Sequence, residues 1–185
     1  VLTPLAVDPG RPFPFISNLS LSLAVILKQP QKDVVHFARL KVPSNLSRWL
    51  SVCAGPEDEE AMCLLPVEQL IHHHVQELFW GMEVVSVHAF RITRNADLRR
   101  EDEEADDLLS MISEELRERR FAPVVRLEVT EDMPLYVRGI LMRELGLKPD
   151  DVYEIDGQID LTGCFEIAKL ELPQFKFPPW EPVTP

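Results

Sequence analysis

Alternating hydrophobic and polar positions divide much of the chain into predicted strands. Residues 19–27 (LSLSLAVIL) and 34–42 (VVHFARLKV) lie on either side of a break at residues 29–33, which predicts a β-hairpin. Alternation, or a run of β-branched and aromatic residues, predicts further strands over residues 46–52, 63–65, 84–93, 124–130 and 152–155.

Apolar positions with a period of 3.6 residues predict helices between these strands. The first helix begins at Pro66 and ends near Gly81, and its apolar face includes His74, which we therefore expect in the core. Further helices are predicted over residues 101–120, 133–145 and 161–170, the last with Asp160 as its N-cap.

This order of elements predicts an α+β, or mixed α/β, fold. The N-terminal hairpin is followed by a β-α-β-α-β-α series, so we expect a mostly antiparallel or mixed sheet with helices packed on it. Proline content divides the chain into an extended arm at residues 1–18, a domain at residues 19–170 and an extended tail at residues 171–185. The arm is expected to cross from a preceding domain, and the tail to lead to a following one.

Composition and charge exclude several classes of protein. A net charge of −12 argues against nucleic-acid binding, because a polyanion is repelled at long range. The chain has no apolar run of about 18 residues, so no transmembrane segment is predicted. Its three cysteines lack metal or redox spacing, which favours a reducing compartment such as the cytoplasm.

Two clusters contain metal-ligand residue types without the spacing of a metal site. His72, His73 and His74 are consecutive on a predicted helix and point about 100° apart, so they do not converge on one ion. The acidic run at residues 101–107 lacks the alternating ligands and central glycine of a calcium loop. We therefore expect no metal site, and a solvated helix face for the acidic run.

Basic residues on two predicted strands are the candidates for contact with an anion or a neighbouring domain: Arg39, Lys41, Arg91 and Arg94. Alternation places Arg39 and Lys41 on one face of the second strand, where we expect solvent. Arg91 shares one face of its strand with small apolar residues, and its guanidinium is expected to reach past the sheet edge. Arg94 lies on the opposite face from Arg91 unless the strand ends or bulges at Thr93.

The sequence contains no recognisable catalytic constellation. It lacks the phosphate loops GxxxxGK[ST] and GxGxxG, the metal motif HExxH and the nucleophile elbow GxSxG. His36 and His88 lie on predicted strands beside arginines, but a structural role is favoured for both because neither has an evident base or cleft partner. We predict no catalytic residue, cofactor-binding residue or metal ligand in this chain.

Six segments are distinctive in their order along the chain: LTPLAVDPGRPFPFISNLSLSLAV, HFARLKVP, EQLIHHHVQELFWGMEV, FRITRNADL, VRLEV and FKFPPWEPVTP. Together they resemble the middle, or head, domain of bacterial polyphosphate kinase, the large type that works through a phosphohistidine. DPGRPFPF and FRITRNADL are the most specific pieces. The chain departs from the family pattern at Arg11, where the family has a histidine, and at residues 46–52 (LSRWLSV), which replace a form closer to LPRFV.

The resemblance implies that the whole enzyme transfers the terminal phosphate of ATP reversibly to inorganic polyphosphate, with magnesium. It also implies a homo-oligomer in the cytoplasm, either free or peripheral to the inner membrane. The family has an N-terminal domain that helps to hold the adenine and two C-terminal domains that carry the phosphorylated histidine. This chain would then be a non-catalytic scaffold between them, with no cofactor of its own, and the tail at residues 171–185 would lead to the catalytic domains.

Under this resemblance Arg94 has three candidate partners: the acidic helix that follows it, a neighbouring domain or polyphosphate. Two other hypotheses stay open. A stand-alone interaction module would use the proline-rich ends as arms. A small phosphate-handling enzyme would use His36 or His88 with Arg39 or Arg91, and it requires those side chains to converge in one pocket rather than lie on opposite faces of the sheet.

Overall fold

A computed structural model describes residues 2–7, 13–32, 34–53, 62–96, 120–178 and 180–182 of the chain. Its strands are β1 (Pro4–Val7), β2 (Leu21–Lys28), β3 (Val35–Lys41), β4 (Trp49–Cys53), β5 (Met62–Pro66), β6 (Glu83–Arg94), β7 (Val124–Thr130) and β8 (Val152–Ile155). Six of them form one sheet in the order β1-β3-β2-β6-β7-β8, and β4 pairs with β5 in a separate two-stranded sheet. Neighbouring strands are antiparallel except for β7 and β8, which run parallel. The predicted mixed α/β class is confirmed.

The α-helices that lie wholly within the described residues are α1 (Val67–His73), α2 (Leu135–Leu145) and α3 (Cys164–Ala168). Both α1 and α2 follow a proline with extended backbone, so Pro66 lies just before α1 rather than inside it as predicted. The helix α2 ends at Leu145 and is capped by Gly146, whose φ of 68° is a left-handed conformation that glycine adopts without strain.

The sheet buries apolar side chains on both of its faces. Face A carries Leu23, Val25, Leu40 and Val87, and it is covered by α1 and the turn after it through Val67, Ile71, Val75 and Phe79. Face B carries Phe37, Phe90, Ile92, Leu127 and Val129, and it is covered by Ile16 and by α2 through Val137 and Leu141. A sheet covered on both sides explains why β2 is buried along nearly its whole length.

Several boundaries differ from the sequence predictions. The proline-rich arm contains an unpredicted edge strand, β1, which pairs with β3. The strands predicted at residues 46–52 and 63–65 are shifted to β4 and β5. The last helix is shorter than predicted and follows a 3-10 turn at Leu161–Gly163, and Asp160 makes no side-chain cap. The helix predicted at residues 101–120 lies almost entirely outside the described residues.

Candidate functional site

Arg39 lies on face B of β3 and is buried, with only 3% of its surface exposed. Its Nε–H donates to Ser22 Oγ at 3.2 Å and its Nη1–H to the carbonyl of Phe15 at 2.9 Å, while Nη2 has no hydrogen-bond partner. Burial lowers the pKa of Arg39 to about 10. The expectation of a solvated face was wrong for Arg39 because β1 makes β3 an inner strand and the segment around Phe15 covers it. Lys41, at the end of the same strand, is exposed.

Arg94 also binds a carbonyl group of the N-terminal arm. The β6–β7 register shifts between Thr93 and Arg94, which is the irregularity that the sequence allowed for. The Nε–H and Nη2–H groups of Arg94 donate to the carbonyl of Ile16 at 3.2 and 2.9 Å, and Nη1–H donates to that of Ala122 at 2.6 Å. The guanidinium lies 4.7 Å from the ring centre of Phe15, and burial lowers the pKa of Arg94. Arg39 and Arg94 therefore hold two successive residues of the arm against the sheet.

Arg91 lies on face A and belongs to an ion network rather than to the sheet edge. Its Nη1 lies 3.2 Å from Glu128 Oε2, its cross-strand partner on β7, and its Nη2 lies 3.5 Å from Asp160 Oδ1. The prediction that the guanidinium reaches past the edge was wrong, because β7 and β8 extend the sheet beyond β6.

Arg48 is a buried cation at face A, and the sequence reasoning did not single it out. Its Nη2 lies 2.7 Å from Glu68 Oε1 and its Nη1 lies 3.2 Å from Asp160 Oδ2, while the carbonyls of Ile159 and Asp160 accept two further hydrogen bonds. Asp160 has a φ of 64°, a conformation that a non-glycine residue rarely adopts. We call the chain of contacts from Glu68 through Arg48, Asp160 and Arg91 to Glu128 the face A ion network.

Glu166 of α3 joins the segment at 161–168 to the start of β4. The Ser47 hydroxyl donates to Glu166 Oε2 at 2.7 Å, and the main-chain N–H of Arg48 donates to the same oxygen at 3.0 Å. The hydrogen bond from Ser47 is the main reason that the pKa of Glu166 lies below its ordinary value, against a smaller opposing effect of burial.

We expect Glu166→Gln to lower stability at neutral pH by less than about 1 kcal/mol, because the contact is close to solvent. A carboxyl group with a lowered folded-state pKa contributes stability above its unfolded pKa and loses it as the pH falls through the folded value. The stability difference between wild type and variant should therefore shrink as the pH falls below the ordinary glutamate range. Urea titrations at neutral and acid pH measure it, and a difference that does not change with pH would contradict the assignment.

Among the described residues, no hydrogen bond or ion pair joins a histidine to an arginine. His74 was predicted in the core, but α1 ends at His73 and the His74 ring is exposed, with Nδ1 2.8 Å from Glu77 Oε1. His36 shares face A with Arg91, but these two residues pair with opposite ends of β2.

His88 is buried on face B, and its Nδ1 lies 3.4 Å from Asp132 Oδ2. Arg39 is on the same face, and its Nε–H and Nη1–H groups bind Ser22 and the Phe15 carbonyl, while its Nη2 has no hydrogen-bond partner in the described ranges. The two described hollows of the chain are lined by neither of these residues. The hypothesis of an independent phosphate-handling enzyme therefore gains no support from this arrangement.

Among the described residues, no three histidine, cysteine, aspartate or glutamate side chains are placed together as a group that could hold a metal ion. No helix in the described ranges is long and apolar enough to cross a membrane. Whether Arg39, Lys41, Arg91 or Arg94 contacts an anion or a neighbouring domain stays a prediction, and the acidic helix proposed as a partner of Arg94 lies outside the described part of the chain.

The chain is similar to polyphosphate kinases along its whole length. A family model described as "Polyphosphate kinase middle domain" matches residues 1–167. The polyphosphate kinase of Mycolicibacterium gilvum (strain PYR-GCK) is 46% identical over 185 residues, which are 100% of this chain and 25% of the relative. That of Thermosynechococcus vestitus is 46% identical over 187 residues, or 100% of this chain and 26% of the relative. The chain thus spans about a quarter of the length of the curated relatives it matches.

A solved structure shares the fold. The crystal structure of polyphosphate kinase from Porphyromonas gingivalis matches 99% of this chain and 25% of that chain, with a TM-score of 0.71 and 20% sequence identity. At this identity the likeness concerns the fold alone.

Proposed function

This chain belongs to the polyphosphate kinase family, as its middle domain, and from that membership we propose that it is the non-catalytic part of a larger enzyme. The proposed enzyme transfers the terminal phosphate of ATP reversibly to inorganic polyphosphate, with magnesium, as a cytoplasmic homo-oligomer. The described side chains offer magnesium no set of three ligands. From the family membership we assign ATP, magnesium and the reaction itself to other parts of the polypeptide.

We propose that the domain positions its neighbours, and one observation carries this proposal. Five large apolar side chains near the C-terminal end are between 68% and 97% exposed, and we call them the C-terminal aromatic surface: Leu161, Phe165, Phe175, Phe177 and Trp180. Single exposed apolar residues are common, but these five lie within a stretch of 20 residues, and such a concentration along the sequence favours an interaction surface. The surface supports contact with another domain of the same polypeptide.

Four buried or half-buried arginines support the same role. Arg39 and Arg94 hold the N-terminal arm, while Arg48 and Arg91 hold Asp160 at the start of the C-terminal segment. Guanidinium groups that donate several hydrogen bonds from fixed side chains set the direction of a backbone more firmly than one apolar contact does. The boundaries at residues 1–18, 19–170 and 171–185 are part of this proposal.

We expect serine at Phe165, Phe175, Phe177 and Trp180 together to reduce phosphate transfer by the full-length enzyme by about tenfold, because the neighbouring domain loses its apolar contact. Transfer from labelled ATP to polyphosphate is the measurement. Labelled ATP incubated with the 185-residue chain alone is expected to give neither polyphosphate nor phosphohistidine.

The matched control is Trp80→Ser, which removes a side chain that is 91% exposed outside the C-terminal aromatic surface. This variant should transfer phosphate at the wild-type rate. Wild-type activity of the fourfold variant would refute the positioning role, while labelling of a histidine in the isolated chain would refute the non-catalytic one.

A further inference from the structure

Face A contains a hollow of about 370 Å³ that is not filled by the described residues. Its floor is formed by the central strands β2 and β6, through Leu21, Leu23, Val87 and Ala89. The helix α1 forms one wall, and the end of β7 with the loop at residues 157–159 forms the other. The volume lies at the lower end of the range of ligand pockets, roughly 300–1,000 Å³, and a floor of small and aliphatic side chains suits an apolar group.

The charged groups around this hollow include one carboxylate that is largely exposed to solvent. Arg48 and Glu68 line it, but they neutralise each other in the face A ion network. Asp132 lines it too, and its side chain is 74% exposed. Burial raises the pKa of Asp132, but the nearby Thr130 hydroxyl and His88 ring outweigh that effect and hold the pKa below its ordinary value. Asp132 is therefore ionised at neutral pH, and the rim of the hollow is negative.

The side-chain amide of Gln158, on the wall of the hollow, lacks a hydrogen-bond acceptor in the part of the chain that the structure describes. Its Nε2 is buried and has no hydrogen-bond partner among the described residues, although Gln158 lines the hollow. Buried amide groups are nearly always paired, so each unpaired one calls for an explanation. Because Nε2 has almost no exposed surface, a peptide carbonyl in the hollow supplies the missing acceptor only when the Gln158 amide rotates toward the hollow.

We propose that the hollow on face A receives a peptide segment of the same polypeptide from outside residues 1–185. A basic side chain of that segment pairs with Asp132, a carbonyl accepts from Gln158, and an apolar side chain lies on the floor. This inference rests on the proposed function, since it needs the longer enzyme. Two observations favour such an occupant: the relatives are about four times as long as this chain, and a domain with a net charge of −12 attracts basic segments.

The test places the photoreactive residue p-benzoylphenylalanine at position 69 of the full-length protein. Gln69 is exposed on α1 and lines the hollow, so this substitution leaves the core intact. After irradiation, mass spectrometry should find an adduct within one polypeptide, between position 69 and a peptide from outside residues 1–185. The same probe at Glu77, which is exposed in the turn after α1, should not give that adduct.

The role of the Asp132 charge is tested with Asp132→Lys and Asp132→Asn in the full-length protein that carries the photoreactive residue at position 69. Asp132→Lys should reduce the adduct yield about tenfold, and Asp132→Asn should reduce it by a smaller factor. Asp150→Lys changes an exposed carboxylate outside the hollow and should leave the adduct yield unchanged. Phosphate transfer is measured on the same samples, so failure of the docking proposal is separable from failure of the proposed function. No adduct, an adduct confined to residues 1–185, or one to a second copy or another protein would overturn the inference.

Discussion

Replacing Arg48 by alanine is expected to destabilise the chain by about 3–5 kcal/mol, the usual cost of removing one partner from a buried ion pair. The Arg48 side chain is 9% exposed and lies between Glu68 and Asp160, which are 12% and 17% exposed. Without it, the largely buried Glu68 carboxylate loses its cation, and Asp160 keeps only Arg91, whose Nη2 lies 3.5 Å away. The packing of the segment from Ile159 onward against the sheet should also loosen, because two carbonyl groups there lose their donor.

Urea unfolding of the chain measures this cost. Arg143→Ala is the matched control, because Arg143 is 72% exposed and its ion pair with Glu144 is local. That variant should differ from wild type by less than about 0.5 kcal/mol. A loss of less than about 1 kcal/mol in Arg48→Ala would mean that the face A ion network contributes little to the fold.

Replacing Arg39 by methionine, in contrast to replacing Arg48 by alanine, is expected to stabilise the chain, by about 1–4 kcal/mol. No carboxylate among the described residues pairs with Arg39, and its pKa of about 10 reflects the cost of holding the charge in the sheet. Methionine keeps most of the aliphatic volume and removes the charge. The lost hydrogen bonds to Ser22 and the Phe15 carbonyl oppose this gain, but they are neutral acceptors that contribute less than the cost of the buried cation.

The pH dependence of the stability difference between Arg39→Met and wild type shows whether the buried charge of Arg39 causes that difference. A base with a lowered folded-state pKa destabilises the fold fully below that pKa, and the penalty falls as the pH rises from the folded value toward the unfolded one. The advantage of Arg39→Met should therefore be largest at neutral pH and smaller at a pH of about 10.5, just above the folded-state pKa. Arg39→Ala, which also removes the aliphatic part of the side chain, should be less stable than Arg39→Met. A methionine variant less stable than wild type would refute the explanation.

The hairpin of β2 and β3, the long strand β6 and the fold class could be predicted because alternation and β-branched content are local signals. The burial of Arg39 could not, since it depends on β1, whose four residues begin with Pro4 and carry too short a pattern to register as a strand. The face A ion network could not be predicted from the sequence either. Arg48 and Asp160 are 112 residues apart, and both lie in irregular segments whose spacing in sequence says nothing about their contact.

Both edge strands of the main sheet are short. β1 and β8 have four residues each, and β1 begins with a proline that has no N–H to donate, while the twelve-residue β6 lies inside the sheet. Long, flat, exposed edges are the templates on which strands of other copies add to form cross-β fibrils. If copies of this domain associate through their exposed phenylalanine and tryptophan side chains, they should do so as loose, reversible clusters, because the sheet offers little edge along which a fibril could grow.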